Sequence, residues 1–174
     1  MRRFAIAPAF ALVLALLAPA HGSAAPAREK APAVAAKAPA GPRIIKVTRT
    51  PAEWRQKLSA TAFNVLRQEG TEIAFTGASW NEHRRGLYVC AGCGLPLFGS
   101  DTKFDSGTGW PSFWRPAFDN VVTEKSDSAY GMTRVALDCA RCGGHLGHVF
   151  EDGPRPTGLR YCINSASLAF QPAR

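Results

Sequence analysis

Of the chain's 174 residues, roughly 128 lie beyond a compositionally biased N-terminal stretch, enough for one domain around one core. The formal charge of +8 is mostly not a property of that domain: Arg2, Arg3, Arg28, Lys30, Lys37, Arg43 and Lys46 supply the excess, leaving 14 basic against 12 acidic residues from Val47 onward. A near-neutral domain excludes a broad basic footprint for nucleic acid.

The first segment reads as an address. Arg2-Arg3 precedes an uncharged run, Phe4 to Ala20, rich in Ala and Leu, and Ala18-Pro19-Ala20 and Ala25-Pro26-Ala27 offer small-residue cleavage sites. Residues 1–22 are therefore expected to be a signal peptide, cleaved at about residues 20–27, which predicts export, in a bacterium to the periplasm. The run is short, alanine-rich and contains Pro8 and Pro19, so stable membrane insertion is not expected. An uncleaved N-terminal anchor is the alternative. Residues 23–46 are almost only Ala, Pro, Gly and Lys or Arg up to Pro42, a composition that builds no core and predicts a linker.

The domain, 47–174, opens with Thr50-Pro51-Ala52-Glu53. A capping hydroxyl, proline at the first helical position and glutamate three residues after the cap predict a short helix. A second helical stretch, about Ala60 to Glu69, ends at Gly70. Beyond it glycine recurs and apolar residues cluster in short runs: Gly86 to Val89, Val121 to Thr123, Tyr130 to Leu137, His148 to Phe150 and Leu159 to Ile163. The pattern predicts a mainly β domain of short antiparallel strands behind two N-terminal helices.

Four of the five cysteines form two matched turns, Cys90-Ala91-Gly92-Cys93-Gly94 and Cys139-Ala140-Arg141-Cys142-Gly143. Each presents two thiolates to one metal, and together they complete a closed tetrahedral zinc site with no open position, which makes the zinc structural. Such a site would tie the segment before Asp101 to the segment after Leu137. Disulfides, or a redox Cys-x-x-Cys pair, are the competing readings for an exported chain.

Cys162 is the odd thiol. In Arg160-Tyr161-Cys162-Ile163-Asn164-Ser165 the alternation of a strand puts Arg160, Cys162 and Asn164 on one face. A fixed cation beside a sulfur favours the thiolate, the attacking form, although a buried structural cysteine fits the same residues.

Two further runs, Asp105-Ser106-Gly107-Thr108-Gly109-Trp110-Pro111-Ser112-Phe113 and Gly144-His145-Leu146-Gly147-His148-Val149-Phe150, stand in order with Thr76-Gly77, the first cysteine turn and Arg160 to Ser167. Together they resemble the methionine-(R)-sulfoxide reductase family over essentially the whole domain. The resemblance implies two antiparallel sheets with short N-terminal helices, stapled by structural zinc on Cys90, Cys93, Cys139 and Cys142. It implies Cys162 as the nucleophile, left as a sulfenic acid when methionine departs. His145 and His148 would bind and protonate the sulfoxide oxygen, Asn164 would hold that oxygen or a water, and Arg160 would favour the thiolate. Trp110 would receive the substrate's methyl group, with Phe150 lining the same pocket.

The chain departs from the family pattern at Thr108, where many members have a cysteine that resolves the sulfenic acid as a disulfide. With zinc on the other four thiols, recycling falls to an external thiol. The expectation is an exported, monomeric enzyme acting on methionine sulfoxide, free or in oxidised proteins, with a thioredoxin-like or other thiol reductant as partner. A zinc-ribbon-like binding module and a thiol-disulfide oxidoreductase are the alternatives.

Overall fold

The computed structural model describes residues 38–128, 131 and 133–174. The expected signal peptide and residues 23–37 of the expected linker lie outside the described residues. The last part of that linker lies along the domain. The Pro39 carbonyl accepts from the Asp119 N–H at 3.1 Å and Lys46 Nζ donates to the Ala140 carbonyl at 2.8 Å, while Ile44 packs on the core. The packed chain thus begins upstream of Val47.

Helix α1, Pro51–Lys57, starts as its sequence dictates. Thr50 Oγ1 accepts from the Glu53 N–H at 3.3 Å, and the Glu53 carboxylate accepts from the Thr50 N–H at 2.7 Å. Helix α2, Ala60–Gln68, is capped by Ser59 and closes one residue before the expected end, where Glu69 turns left-handed at φ 58°. Its apolar face, Ala62, Val65 and Leu66, is buried. Among the described residues no helix is long and apolar enough to cross a membrane.

Among the described residues nine short strands follow: β1 Gly86–Cys90, β2 Pro96–Gly99, β3 Lys103–Phe104, β4 Ser112–Phe113, β5 Val122–Asp127, β6 Arg134–Cys139, β7 His145–Phe150, β8 Arg160–Ile163 and β9 Leu168–Pro172. They form two antiparallel sheets, one in the order β2-β1-β9 and one in the order β3-β4-β8-β7-β6-β5. The run read from Tyr130 begins as strand only at Arg134; residues 129, 130 and 132 lie outside the described residues. The strand read from His148 reaches back to His145.

The core lies between the sheets. Phe98 of β2 stacks on Phe113 of β4 with ring centroids 4.4 Å apart, Tyr88 of β1 meets the same Phe113 edge-on at 5.0 Å, and Tyr161 of β8 reaches Phe98 at 5.9 Å. Tyr88, Phe98 and Phe113 are wholly buried, so the aromatic layer fixes how the sheet carrying Cys162 sits on its partner.

Candidate active site

Strand β8 alternates as its composition demands: Tyr161 and Ile163 face the core, while Arg160 and Cys162 face the other way and are partly exposed. Across the sheet, Cys162 pairs with Ser112 of β4 on one side and His148 of β7 on the other, and Arg160 pairs with Phe150. Paired residues share a face, so register alone assembles a serine, a thiol and an imidazole in one row, with a guanidinium and an aromatic ring in the next.

The histidines meet through an irregularity. Residues 145 and 148 are three apart, and plain alternation would place them on opposite faces. Between β6 and β7, however, Leu137 pairs with Gly147 while the next residue, Asp138, pairs with His145, leaving Leu146 as the extra residue of a bulge. The two rings come to the same face with centroids 5.4 Å apart. Gly147 makes this possible: its φ is +156°, and a Cβ there would lie 2.1 Å from the Cys162 carbonyl oxygen.

Each histidine is backed by a carboxylate. His148 Nε2 lies 2.8 Å from Asp127 Oδ2, which Arg134 also holds at 2.7 Å. Burial pushes the His148 imidazole below its usual range; Asp127 pulls against that shift and Arg134 adds to it. His145, only 4% exposed, sits with Nδ1 3.4 Å from Asp138 Oδ1. Burial pushes the Asp138 carboxyl up, but His145 and Lys125 outweigh it and hold the group below the usual carboxylate range.

Arg160 is fixed before it meets the sulfur. Its Nε and Nη2 each donate to Asp152 at 2.8 Å, and its guanidinium lies 4.4 Å over the Phe150 ring. At Cys162 burial pushes the thiol up; Arg160 and the hydroxyls of Thr108 and Ser112 pull it back without cancelling the shift. The guanidinium acts in the direction the sequence suggests, and desolvation is the larger effect. Thr108 Oγ1 stands 4.0 Å from Cys162 Sγ, and a cleft of about 380 Å³, lined by Thr108 and Arg160, opens between Asp105 and Pro154.

Asn164 is placed differently from the expected shared face. Strand β8 ends at Ile163, and Asn164 turns into the Ser165–Ser167 3-10 turn, 4% exposed. Its Nδ2 donates to the Leu146 carbonyl at 3.0 Å and its Oδ1 accepts from the Glu72 N–H at 3.0 Å. Glu72 is a residue that sequence reasoning passes over. Its carbonyl also accepts from Trp110 Nε1 at 3.2 Å, and its carboxylate caps the Ser165 and Ala166 N–H groups. One loop residue thereby ties the Trp110 ring, Asn164 and the turn behind the thiol. Pro111, next to Trp110, accepts the Ile163 N–H at 3.0 Å, so the Trp110 segment runs beside β8.

The other four cysteines gather at the ends of β1 and β6 and on the turns that follow them. Their sulfurs all lie within 4.8 Å of one another, with Cys90 to Cys142 at 3.7 Å and Cys93 to Cys139 at 3.5 Å, and all are free thiols. A tetrahedron with metal–sulfur bonds of about 2.3 Å has sulfur–sulfur edges of about 3.8 Å, so the set fits a closed four-thiolate site. The two turns are near copies: Gly94 N–H donates to the Cys90 carbonyl and Gly143 N–H to the Cys139 carbonyl, both at 2.8 Å, and both glycines have positive φ. Arg67 of α2 donates to Cys142 Sγ at 3.2 Å, a cation placed to orient a bound thiolate.

The chain matches the SelR domain over residues 58–172. It is 57% identical over 126 residues to the peptide methionine sulfoxide reductase MsrB of Leptospira interrogans, covering 72% of this chain and 96% of that protein. It is 56% identical over 127 residues to the protein of the same description from Agrobacterium fabrum, covering 73% and 94%. The corresponding protein of Thiobacillus denitrificans is 57% identical over 124 residues, covering 71% and 94%.

Proposed function

The chain belongs to the SelR family of peptide methionine sulfoxide reductases and is an oxidoreductase acting on methionine sulfoxide, and from that premise we propose that Cys162 is its nucleophile and the R epimer its substrate. The supporting observation is the row built by register, with Ser112, Cys162 and His148 side by side and Arg160 fixed above Phe150.

The Cys162 thiolate attacks the sulfoxide sulfur, the oxygen passes to the cysteine, and the products are methionine and a Cys162 sulfenic acid. His148, steadied by Asp127, and His145, beside Asp138, bind the departing oxygen and between them supply the one proton that this transfer requires. Asn164 holds the turn behind the nucleophile, and Trp110 and Phe150 wall the methyl pocket. Two external thiols then reduce the sulfenic acid, giving back the thiol, one disulfide and one water. Thr108 offers no resolving thiol, so that reductant, a thioredoxin-like domain or other thiol, comes from outside the chain, and the cleft lined by Thr108 and Arg160, both neighbours of Cys162, is the side from which we expect it to approach.

Zinc on Cys90, Cys93, Cys139 and Cys142 is structural, since four thiolates leave no position for substrate. The signal-like residues 1–22 support export to an oxidising compartment, where oxidised proteins are the natural substrate class.

The test is incubation with the two separated sulfoxide epimers of a blocked methionine and dithiothreitol, followed by chromatography. Consumption of R with S untouched, abolished in Cys162→Ser, is the expected result. Equal loss of both epimers would refute the pocket assignment, and an active Cys162→Ser enzyme would refute the nucleophile.

A further inference from the structure

Three hydroxyls close an arc against the sulfur of Cys162, and we propose that Thr108, Ser106 and Ser112 act as one reversible hydrogen-bond chain that accepts from the thiol and donates to the thiolate. Ser106 Oγ lies 2.8 Å from Thr108 Oγ1 and 2.7 Å from Ser112 Oγ. Thr108 Oγ1 is 4.0 Å from Cys162 Sγ, within reach for a bond to sulfur, and Ser112 is the register partner of Cys162 on β4, wholly buried. The far end is anchored: Ser112 Oγ donates to the Trp110 carbonyl at 3.2 Å.

A hydroxyl has one proton and two lone pairs, so such a chain has two self-consistent polarities. With a thiol, the S–H donates to Thr108, Thr108 to Ser106, Ser106 to Ser112 and Ser112 to the Trp110 carbonyl. A thiolate can only accept. Thr108 then turns its proton to the sulfur, Ser106 donates to Thr108 and Ser112 to Ser106. No hydroxyl bond breaks; three protons rotate, and the thiol proton leaves through the partly exposed side of Cys162 to base in solvent.

The other elements around the sulfur contribute charge of a different kind. On β8 Arg160 is held by Asp152, and on β7 His148 is held by Asp127. From β4 and the loop before it, the groups facing the sulfur are these hydroxyls, and those of Thr108 and Ser112 both pull the thiol down against its burial. Reversal also releases the Trp110 carbonyl, so the charge on the nucleophile is coupled to the segment carrying the aromatic wall. The inference deepens the reading of Cys162 as nucleophile.

The readout for the hydrogen-bond chain itself is an ionisation, not turnover. The full chain is alkylated with iodoacetamide across a pH series, and modification is followed on the tryptic peptide 161–174, in which Cys162 is the single cysteine. Thr108→Val should move the midpoint upward by about one pH unit, about tenfold slower modification at neutral pH. Ser106→Ala should move it the same way by less, and Thr108→Ser should keep the parental midpoint. If Thr108→Val fails to fold by circular dichroism, Thr108→Ala reads the same loss. Unmoved midpoints in Thr108→Val and Ser106→Ala would overturn the proposal, as would a Thr108→Ser shift equal to that of valine. An unmoved midpoint with an inactive Cys162→Ser enzyme refutes the chain alone; an active Cys162→Ser enzyme refutes the nucleophile alone.

Discussion

At the scale of single residues the site sets two ionisations against each other. In the mechanism proposed above, attack needs Cys162 as thiolate while burial pushes the thiol up, and protonation of the departing oxygen needs a charged imidazole while burial pushes His148 down. The competent form therefore carries both groups in the protonation state their pKa values disfavour near neutrality. Between a low imidazole pKa and a high thiol pKa the fraction of that form does not vary with pH. We expect kcat/KM to show a broad plateau, falling on the acid side below the usual histidine range and on the alkaline side above the usual thiol range. Asp127 is the group that raises His148, so Asp127→Asn should lower the imidazole pKa, move the acid limb to lower pH and drop the plateau about tenfold for each unit of that shift. The pH–rate profile of the pair checks this; an acid limb that moves upward in Asp127→Asn would contradict the assignment.

At the scale of elements, the bulge in β7 is what turns a sequence motif into a site. Gly147 brings the β7 backbone against the Cys162 carbonyl and lets His145 join His148 on one face. A methyl group there meets backbone, which cannot swing aside as a side chain can. Gly147→Ala should cost about 2 kcal/mol or more in stability, and a shift of β8 by roughly an ångström should lower kcat/KM about 100-fold. Thermal melts and kinetics on one preparation measure both, and wild-type values in each would count against the bulge as the organising feature. The capped α1, the cysteine turns and the thiol strand were legible from residue types because each carries its signal within a few positions. The bulge was not, since a lone glycine is its whole local signature. Strands β3 and β4, two residues each, are too short to show alternation. Glu72 and Asp127 carry no local signal because the groups they serve are distant in sequence, Glu72 capping Ser165 from 93 positions away and Asp127 reaching His148 from 21, and Asp138 meets His145 only through the shifted β6–β7 register.

At the scale of the molecule, the two sheets are joined by the aromatic layer at one place and by the cysteine cluster at another. Cys90 ends β1 in the three-stranded sheet and Cys139 ends β6 in the six-stranded sheet, with Cys93 and Cys142 on the turns that follow, so a metal here crosses from sheet to sheet. Trp54 of α1 packs under the first turn, and Arg67 of α2 stacks on Trp54 at 4.3 Å while donating to Cys142. Both helices are therefore docked through the same cluster. Structural zinc in such sites is worth roughly 10 kcal/mol of folding free energy or more at neutral pH, comparable to the whole stability of a small domain. Metal analysis should find about one zinc per chain. Strong chelation, or Cys93→Ser, should lower the melting temperature sharply and abolish activity although neither touches Cys162, and restoring zinc to the chelated protein should recover both. Metal-free protein with a Cys90–Cys93 disulfide and an unchanged melt would mean that the cluster is a redox pair and that the sheets hold together without it.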